Sequence, residues 1–354
     1  VNGTWLERTE IPADKSNFGS FTALQDDAEA MLLTLVNQMA SGEHPAGSDE
    51  QNVGDLYRSF VDTERVEQLG SEPIRPLLAH IKALQSHEQL PQLMAAAARI
   101  GVENPFGFYV YADAKQSDQY TVYLSQAGTS LPDRDYYLDD DEKFVEIRKQ
   151  FVAYVTRVLQ LIDHEDAGEA AERILALETR FAQAHWTNVE NRDPVRTYNA
   201  TTRDELAATF ESLDIDALLT AAGLPDRQDF VVRQPSYLET LDTIIAETDI
   251  SVWREYYAFR VVDRFASMLD TRFDSAHFDF YDRVLTGVTE PKSRDKRGVD
   301  LCSMVLGEML GKLYVRERFT PEAKARMLQL VENLKAAFGE RIRTNDWMSQ
   351  GTKI

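Results

Sequence analysis

The six histidines are the side chains of this sequence most suited to bind a catalytic metal ion. They are His44, His80, His87, His164, His185 and His277. A zinc site that activates water needs two histidines four residues apart on one helical face, with a glutamate beside the first. The runs 87–91 and 164–168 begin like such a motif, but a proline and a glycine stand where the second histidine belongs. We therefore expect no metal site in this chain and no cofactor bound by it.

Other reactive side chains also lack the partners that catalysis requires. Cys302 is the single cysteine, so no intrachain disulfide forms, and its apolar neighbours favour a buried thiol over a nucleophile. The sequence has no G-x-S-x-G elbow, no phosphate-binding P-loop and no G-x-G-x-x-G turn. The acidic run Asp139–Glu142 lacks the alternating ligands and central glycine of a calcium loop, so we interpret it as favourable charge at a helix start. We expect no catalytic residues in this chain.

Composition restricts the class of partner. The 354 residues include 38 basic and 59 acidic side chains, for a net charge of −21. This charge disfavours nucleic acids and anionic membranes and favours neutral or basic peptides. No apolar run reaches the roughly 18 residues of a membrane span, so we expect no nucleic-acid partner and no membrane span in this chain.

The periodicity of apolar residues predicts the elements that must position any site. Helical spacing dominates and is interrupted between Phe106 and Leu124, where aromatic and β-branched residues predict a β-hairpin, and again by a short strand-like run from Phe230 to Val232. No linker or repeat divides the chain. We expect a mainly α fold, a multi-helix domain with a small β-hairpin, over residues 1–354.

Helix ends and core faces follow from local signals. Capping boxes are predicted at Thr22 with Gln25 and at Thr202 with Glu205, and Thr320 precedes a proline suited to the first turn of the last helix. The spacing of the last helix predicts a buried face made of Met327, Leu330, Val331, Leu334, Phe338 and Ile342.

Several separated motifs carry a family resemblance. The opening stretch VNGTWLERTEIPADKSNFGSFTALQ has an N-G-x-W-L turn followed by an I-P stretch and a G-x-F, and residues 131–138 read LPDRDYYL. Residues 192–199 add an R-D-P stretch that ends in Tyr-Asn. Together they resemble the neprilysin-like zinc metalloendopeptidases, a family that includes neprilysin, endothelin-converting enzyme and bacterial oligopeptidase O. Thr129 departs from the leucine usual at its place.

The resemblance implies an N-terminal half. In that family a helical lid encloses peptides above a thermolysin-like catalytic half, which binds zinc and lies later than residue 354. The implied partners are peptide substrates and a C-terminal catalytic domain of the same polypeptide, toward which residues 320–354 would lead. The chain by itself would be inactive. The resemblance favours the cell envelope or an extracytoplasmic location, and a cytoplasmic one stays open.

The resemblance also implies substrate-binding positions. Two arginines eight residues apart face the cleft in the family and can hold a peptide's terminal carboxylate. Asn17 and Gln25 occupy those positions here, which removes the charge, while Phe21 matches the motif's phenylalanine and can line a hydrophobic subsite. For Asn17 a turn role, and for Gln25 a capping role, are the alternatives. A stand-alone, non-catalytic helical binding module is the alternative for the whole chain.

Overall fold

The computed structural model describes residues 3–353, and it is mainly helical, as predicted. Asn2 of the predicted Asn-Gly turn lies outside this range, and the residues after it begin a short helix instead of a turn. The helices are α1 Gly3–Arg8, α2 Ser20–Ser41, α3 Asp49–Val61, α4 Thr63–Leu69, α5 Arg75–Lys82, α6 Leu90–Arg99, α7 Asp135–Leu138, α8 Glu142–Gln160, α9 Ala167–Ala184, α10 Arg203–Thr209, α11 Ile215–Ala221, α12 Pro235–Glu247, α13 Ile250–Phe265, α14 Thr271–His277, α15 Arg294–Val305, α16 Gly307–Arg318 and α17 Pro321–Thr344.

The chain divides into two compact units. The first unit contains the residues up to Asp62 and those from Lys292 onward, and the second unit is Thr63–Pro291. Apolar spacing predicts one continuous helix from Val53 to Gly70 and another from Leu301 to Val315, but both are broken. One breaks at Asp62, between α3 and α4, and the other at Leu306, between α15 and α16. Apolar spacing alone does not register such breaks, because the spacing resumes in phase after them.

The first unit has a small core formed by α2, α3, α15 and α16. Its buried apolar side chains are Leu35, Val36, Met39, Val53, Tyr57, Val299, Cys302, Leu310 and Leu313. Gly54 lets α2 and α3 approach closely, because a Cβ at this position would lie 2.6 Å from the Met39 carbonyl oxygen. Burial raises the pKa of the Cys302 thiol to about 11, which confirms the predicted inert, buried cysteine.

The second unit has a larger core around α8, α9, α12 and α13. The rings of Phe181, Trp253 and Tyr256 are fully buried and contact one another, with centroid distances between 5.9 and 6.2 Å. The sequence predicts an apolar α13 face made of Trp253, Tyr257, Val261 and Phe265. Trp253 of this set belongs to the cluster, whereas Tyr256 lies outside the predicted set. Such aromatic clusters stabilise a core by the large apolar area that they remove from water.

The predicted hairpin belongs to a four-stranded sheet in the second unit. The strands are β1 Phe106–Ala112, β2 Tyr120–Gln126, β3 Asn199–Thr202 and β4 Asp229–Val232, in the spatial order β1-β2-β4-β3. β1 and β2 pair antiparallel from Phe106 opposite Gln126 to Ala112 opposite Tyr120. β2 pairs with β4 in parallel, and β3 pairs with β4 antiparallel. The sequence predicts β4 but not β3, whose residues NATT are short and polar.

The apolar face of α17 is exposed, so the prediction that this face is buried is wrong. Thr320 caps the helix as predicted, by accepting a hydrogen bond from the Ala323 amide, but none of the helix's residues is buried. The six predicted core residues are between 36% and 66% exposed. Helical spacing shows that one face is apolar but not what covers it. In the described residues no element buries this face, which we call the α17 stripe (Met327, Leu330, Val331, Leu334, Phe338 and Ile342).

Candidate functional site

The first candidate surface is the start of α2. The helix begins at Ser20, with Gly19 as an extended N-cap that makes no side-chain cap. Thr22 is therefore inside the first turn, and the predicted capping box of Thr22 with Gln25 is wrong. The capping box of Thr202 with Glu205 is present as predicted. A capping role consequently does not explain Gln25.

The three predicted substrate-binding residues lie on this exposed surface. Asn17 is in the loop before α2, and its amide is 3.5 Å from the Ser16 hydroxyl. Phe21 is 86% exposed, and Gln25 is exposed one turn later on the same helical face. A phenylalanine that is almost fully exposed at a helix start gains nothing from folding, so Phe21 is available to an apolar ligand or a covering surface.

A buried carboxylate fixes the LPDRDYYL loop in the second unit. Glu178, on α9, is fully buried and accepts hydrogen bonds from the Tyr137 hydroxyl at 2.5 Å and the Ser130 amide at 2.9 Å. The Tyr137 oxygen also accepts from the amides of Ser130 and Leu131. Burial raises the pKa of Glu178, although the Arg260 guanidinium and these hydrogen bonds oppose the rise. Glu178 thus joins the loop to the core.

Arg260 completes this buried network from α13. Its guanidinium donates to the Ser130 hydroxyl at 2.7 Å and to the Glu103 carboxylate at 2.6 Å. Neither Glu178 nor Arg260 is among the residues that the sequence predicts to be functional. A signal was available for each, because each is a charged residue within the apolar spacing of its helix, and such residues need a buried partner.

The charged and aromatic residues of LPDRDYYL predict a loop fixed by ion pairs and buried aromatics, but the described structure gives its charged residues other partners. In the described structure Arg134 donates to the backbone carbonyl of His185 at 2.8 Å, and Asp133 accepts from the Asn188 amide and the Asp135 backbone. The loop is fixed by hydrogen bonds and buried aromatics, so the aromatic part of the interpretation is confirmed and the ion-pair part is wrong.

His185 and Gly128 support the same loop. The His185 Nε2 is 3.1 Å from the Ala127 carbonyl, and burial lowers the pKa of the imidazole to about 4, which keeps it neutral. Gly128 has φ +98°, and a Cβ there would lie 2.7 Å from the Pro105 Cα. Only glycine meets both requirements. His185 therefore has a structural role.

No set of side chains in residues 3–353 fits a metal ion. Within that range no group of three histidine, cysteine, aspartate or glutamate side chains converges on a common point. The His87 Nε2 is 2.8 Å from the Thr248 carbonyl, and the His277 ring packs on Tyr281. These histidines serve local packing, and the residues present do not fit a zinc site.

The second candidate surface is the α17 stripe. Its spacing of three and four residues places the six apolar side chains along one side of a 24-residue helix. Exposed apolar patches of this kind mark interaction surfaces in soluble proteins. No helix in residues 3–353 is long and apolar enough to cross a bilayer.

Fold and surfaces together define a class of protein: a mainly helical chain of two units that exposes apolar surfaces and has, among its described residues, no metal-binding set. Residues 1–354 match the N-terminal profile of peptidase family M13. The chain belongs to this family, which confirms the resemblance to the neprilysin-like peptidases and the interpretation as an N-terminal half.

Solved structures agree with this assignment. The chain is 36% identical to the Mycobacterium tuberculosis zinc metalloprotease Zmp1 in complex with inhibitor, with a TM-score of 0.93 over 100% of this chain and 54% of that one. PepO from Lactobacillus rhamnosis has a TM-score of 0.83 at 22% identity, over 100% of this chain and 56% of that one, which shows the fold alone.

The curated relatives are about twice as long as this chain. Endothelin-converting enzyme-like 1 from Mus musculus is 26% identical over 367 residues, 99% of this chain and 47% of that protein. Human endothelin-converting enzyme 1 is 25% identical over 366 residues, again 99% of this chain and 47% of that protein. The chain therefore spans about half the length of the relatives that it matches.

Proposed function

We propose that this chain is the substrate-enclosing half of a zinc-dependent metalloendopeptidase that hydrolyses peptides. The observation that carries the proposal is the α17 stripe, because a chain that spans about half of its relatives also has a 24-residue helix with an apolar face and no buried residue. Fully burying an aliphatic or aromatic side chain stabilises it by about 1.5–3 kcal/mol. Burial of six such side chains would therefore stabilise the binding of a complementary half to this face.

The residues of this chain enclose and orient the peptide. Zinc, bound in the complementary half, would supply an activated water and polarise the scissile carbonyl. Phe21 offers an apolar contact to a peptide side chain. Asn17 and Gln25 offer neutral amides, which cannot hold a terminal carboxylate as a guanidinium does. We infer cleavage within peptides, without a preference for a free C-terminus.

A chimera tests this function directly. Residues 1–354 would replace the matching half of the Mycobacterium tuberculosis zinc metalloprotease, and cleavage of a quenched fluorescent peptide would be measured with and without a chelator. We expect the chimera to cleave the peptide, to lose activity with chelator and to regain it with zinc. The unfused chain should neither cleave the peptide nor retain stoichiometric zinc. Chelator-sensitive cleavage by the unfused chain would refute the proposal.

The substrate-binding positions have their own test in the same chimera. The double variant Asn17→Arg with Gln25→Arg restores two guanidinium groups, so it should favour a peptide with a free C-terminal carboxylate over its amidated form. The unsubstituted chimera should cleave the two forms at similar rates. A marked preference for the free carboxylate in the unsubstituted chimera would remove these residues from the proposal.

The alternative is a stand-alone helical binding module. It predicts that the unfused chain binds peptides, that the α17 stripe does not contribute to any catalytic assembly and that the chimera is inactive. The same measurement therefore separates the two functions.

A further inference from the structure

β1 is an edge strand whose outer backbone groups have no partner in the described structure. At one end of the hairpin the Asp113 amide donates to the Gln119 carbonyl, and at the other the Ala127 amide donates to the Pro105 carbonyl. Because hydrogen-bonded pairs alternate in an antiparallel ladder, the odd-numbered residues of β1 face β2. The N–H and C=O groups of Phe106, Phe108 and Val110 therefore point to the outer edge.

This edge lacks the usual protection against strand pairing. Natural edge strands are kept short or carry lysine, proline or a bulge. β1 has seven residues, FGFYVYA, with no charge and no proline. Its far end is exposed on both faces of the sheet, with Val110 at 62% and Tyr111 at 66%. The strand therefore offers both backbone hydrogen bonds and apolar surface to an added strand.

A cleft lies beside the same edge. It has a volume of about 240 Å³ and is lined by β1 residues, by the end of α6 and the segment after it, and by the loop after β2; the lining includes Phe106, Phe108, Val102, Ala98, Ala127 and Glu103. Phe108 is also one of the residues whose backbone groups point outward, whereas Phe106 is buried, so the accessible edge runs from Phe108 to Ala112. A strand added to β1 would thus pass the cleft and could place an apolar side chain in it.

Charge selects the kind of partner. Residues 63–291 contain 22 basic and 40 acidic side chains, a net charge of −18, whereas β1 itself has none. Two copies of the chain would repel each other at this edge, while a cationic peptide would be attracted to it. An extended peptide supplies the backbone groups that the edge lacks.

We propose that the outer edge of β1 and its cleft bind an extended, basic peptide segment by strand addition, with one apolar side chain in the cleft. The binding of such a peptide does not depend on the proposed function. Only the statement that the bound peptide is a substrate rests on that function. The site would hold part of a peptide chain away from the scissile bond and would favour long, basic substrates over short ones.

The test uses the full chain and a fluorescein-labelled ten-residue peptide of alternating lysine and valine with one central phenylalanine. Fluorescence anisotropy measures binding. Val110→Pro removes an outward N–H and leaves the ladder with β2 intact, so it should weaken binding about tenfold. Val110→Ala is the matched control, because it keeps the N–H, and its dissociation constant should stay within about threefold of the unsubstituted chain's. Far-ultraviolet circular dichroism checks that both variants fold.

A second comparison leaves the protein unchanged. The same peptide with N-methyl groups on alternate residues cannot donate to β1 and should bind about tenfold more weakly. Equal binding of both peptides, equal binding by the proline and alanine variants, or no binding at all would overturn the proposal. So would a dimer in sedimentation that Val110→Pro converts to a monomer, because the edge would then bind a second copy. A cleaving chimera without this binding refutes the inference alone, and binding without a cleaving chimera refutes the proposed function alone.

Discussion

The two units differ in how completely they bury their own apolar side chains. In Thr63–Pro291 the long helices α8, α9, α12 and α13 each bury six or more residues. In the other unit α1 and α17 bury none. A helix gains most of its stability in water from packing its apolar face. The long helices of the second unit therefore pack within that unit, which leaves apolar surface exposed mainly at the β1–β2 hairpin, whereas in the first unit the apolar face of the long helix α17 stays exposed.

Charge follows the same division. The second unit has a net charge of −18, and the first has 16 basic and 19 acidic residues, a net charge of −3. A nearly neutral unit with exposed apolar stripes suits a large protein interface, because charge is depleted at the centres of such interfaces. A strongly acidic unit suits attraction of basic peptides. Under the proposed function, the first unit would supply the interface with a catalytic half and the second would attract the peptide.

The largest expected difference between the units is in the loss of stability when a phenylalanine is replaced by alanine in each unit. Phe181→Ala in the second unit removes a fully buried ring and should lower the free energy of unfolding by about 3–5 kcal/mol. Phe338→Ala in the α17 stripe removes a ring that is 66% exposed and should change it by less than about 0.5 kcal/mol. Urea unfolding followed by circular dichroism measures both. Similar losses at the two sites would show that the α17 stripe is already packed.

The next largest difference in stability is expected between a buried and an exposed glutamate of α9. Glu178→Ala removes the buried acceptor for Tyr137 and Ser130 and a negative charge that interacts with Arg260, so it should cost about 3 kcal/mol. Glu169→Ala, on the same helix, removes an exposed carboxylate 3.6 Å from Arg173 and should cost less than about 1 kcal/mol. Thermal and urea unfolding of both variants check this. A cost for Glu178→Ala no greater than that for Glu169→Ala would contradict the role given to the buried network.

A smaller effect is expected at two helical glycines of the first unit. Gly54→Ala places a Cβ against the rigid backbone of Met39 and should destabilise by about 1–3 kcal/mol. At Gly311, on α16, an added Cβ has no atom within 4 Å, so Gly311→Ala should stabilise by about 0.5–1 kcal/mol through helix propensity. The two shifts in unfolding midpoint should have opposite signs. Equal shifts would mean that α2 and α3 do not approach as closely as described.

The smallest expected effect is a pH dependence. The pKa of Glu178 is raised in the folded chain by burial, so the folded state binds this proton more tightly than the unfolded state does. The contribution of Glu178 to the free energy of unfolding is fully present below the ordinary glutamate pKa of about 4.3. This contribution is lost as the pH rises through the raised pKa of the folded chain. The unsubstituted chain should therefore lose stability relative to Glu178→Gln between about pH 4 and the folded pKa. Glu169→Gln provides the control, and an equal pH profile for the two variants would contradict the burial effect.

The sequence predicts the helices well where periodicity and end signals agree. α13 follows from its apolar spacing, and α17 begins at Thr320 as predicted. β3 was missed because NATT has no strand signal of its own and is stabilised by pairing with β4, which is a tertiary contact. The breaks at Asp62 and Leu306 were missed because the apolar spacing continues across them.

The candidate site was less predictable than the fold. The sequence identifies the LPDRDYYL loop, but the residues that fix it come from α9 and α13, far along the chain. The positions of Asn17, Phe21 and Gln25 came from a resemblance, and the structure places them on one exposed surface; their contact with substrate stays a prediction. Periodicity predicted the apolar face of α17 but could not predict its exposure, because exposure depends on what lies against it.

The most direct test of the central claim is the effect of charging the α17 stripe in the chimera. We expect Val331→Glu with Phe338→Glu to leave the circular dichroism spectrum and unfolding midpoint of the unfused chain unchanged, because neither side chain is buried there, and to abolish chelator-sensitive peptide cleavage by the chimera. Full cleavage by the doubly charged chimera would contradict the claim that this face is the surface on which a catalytic half closes.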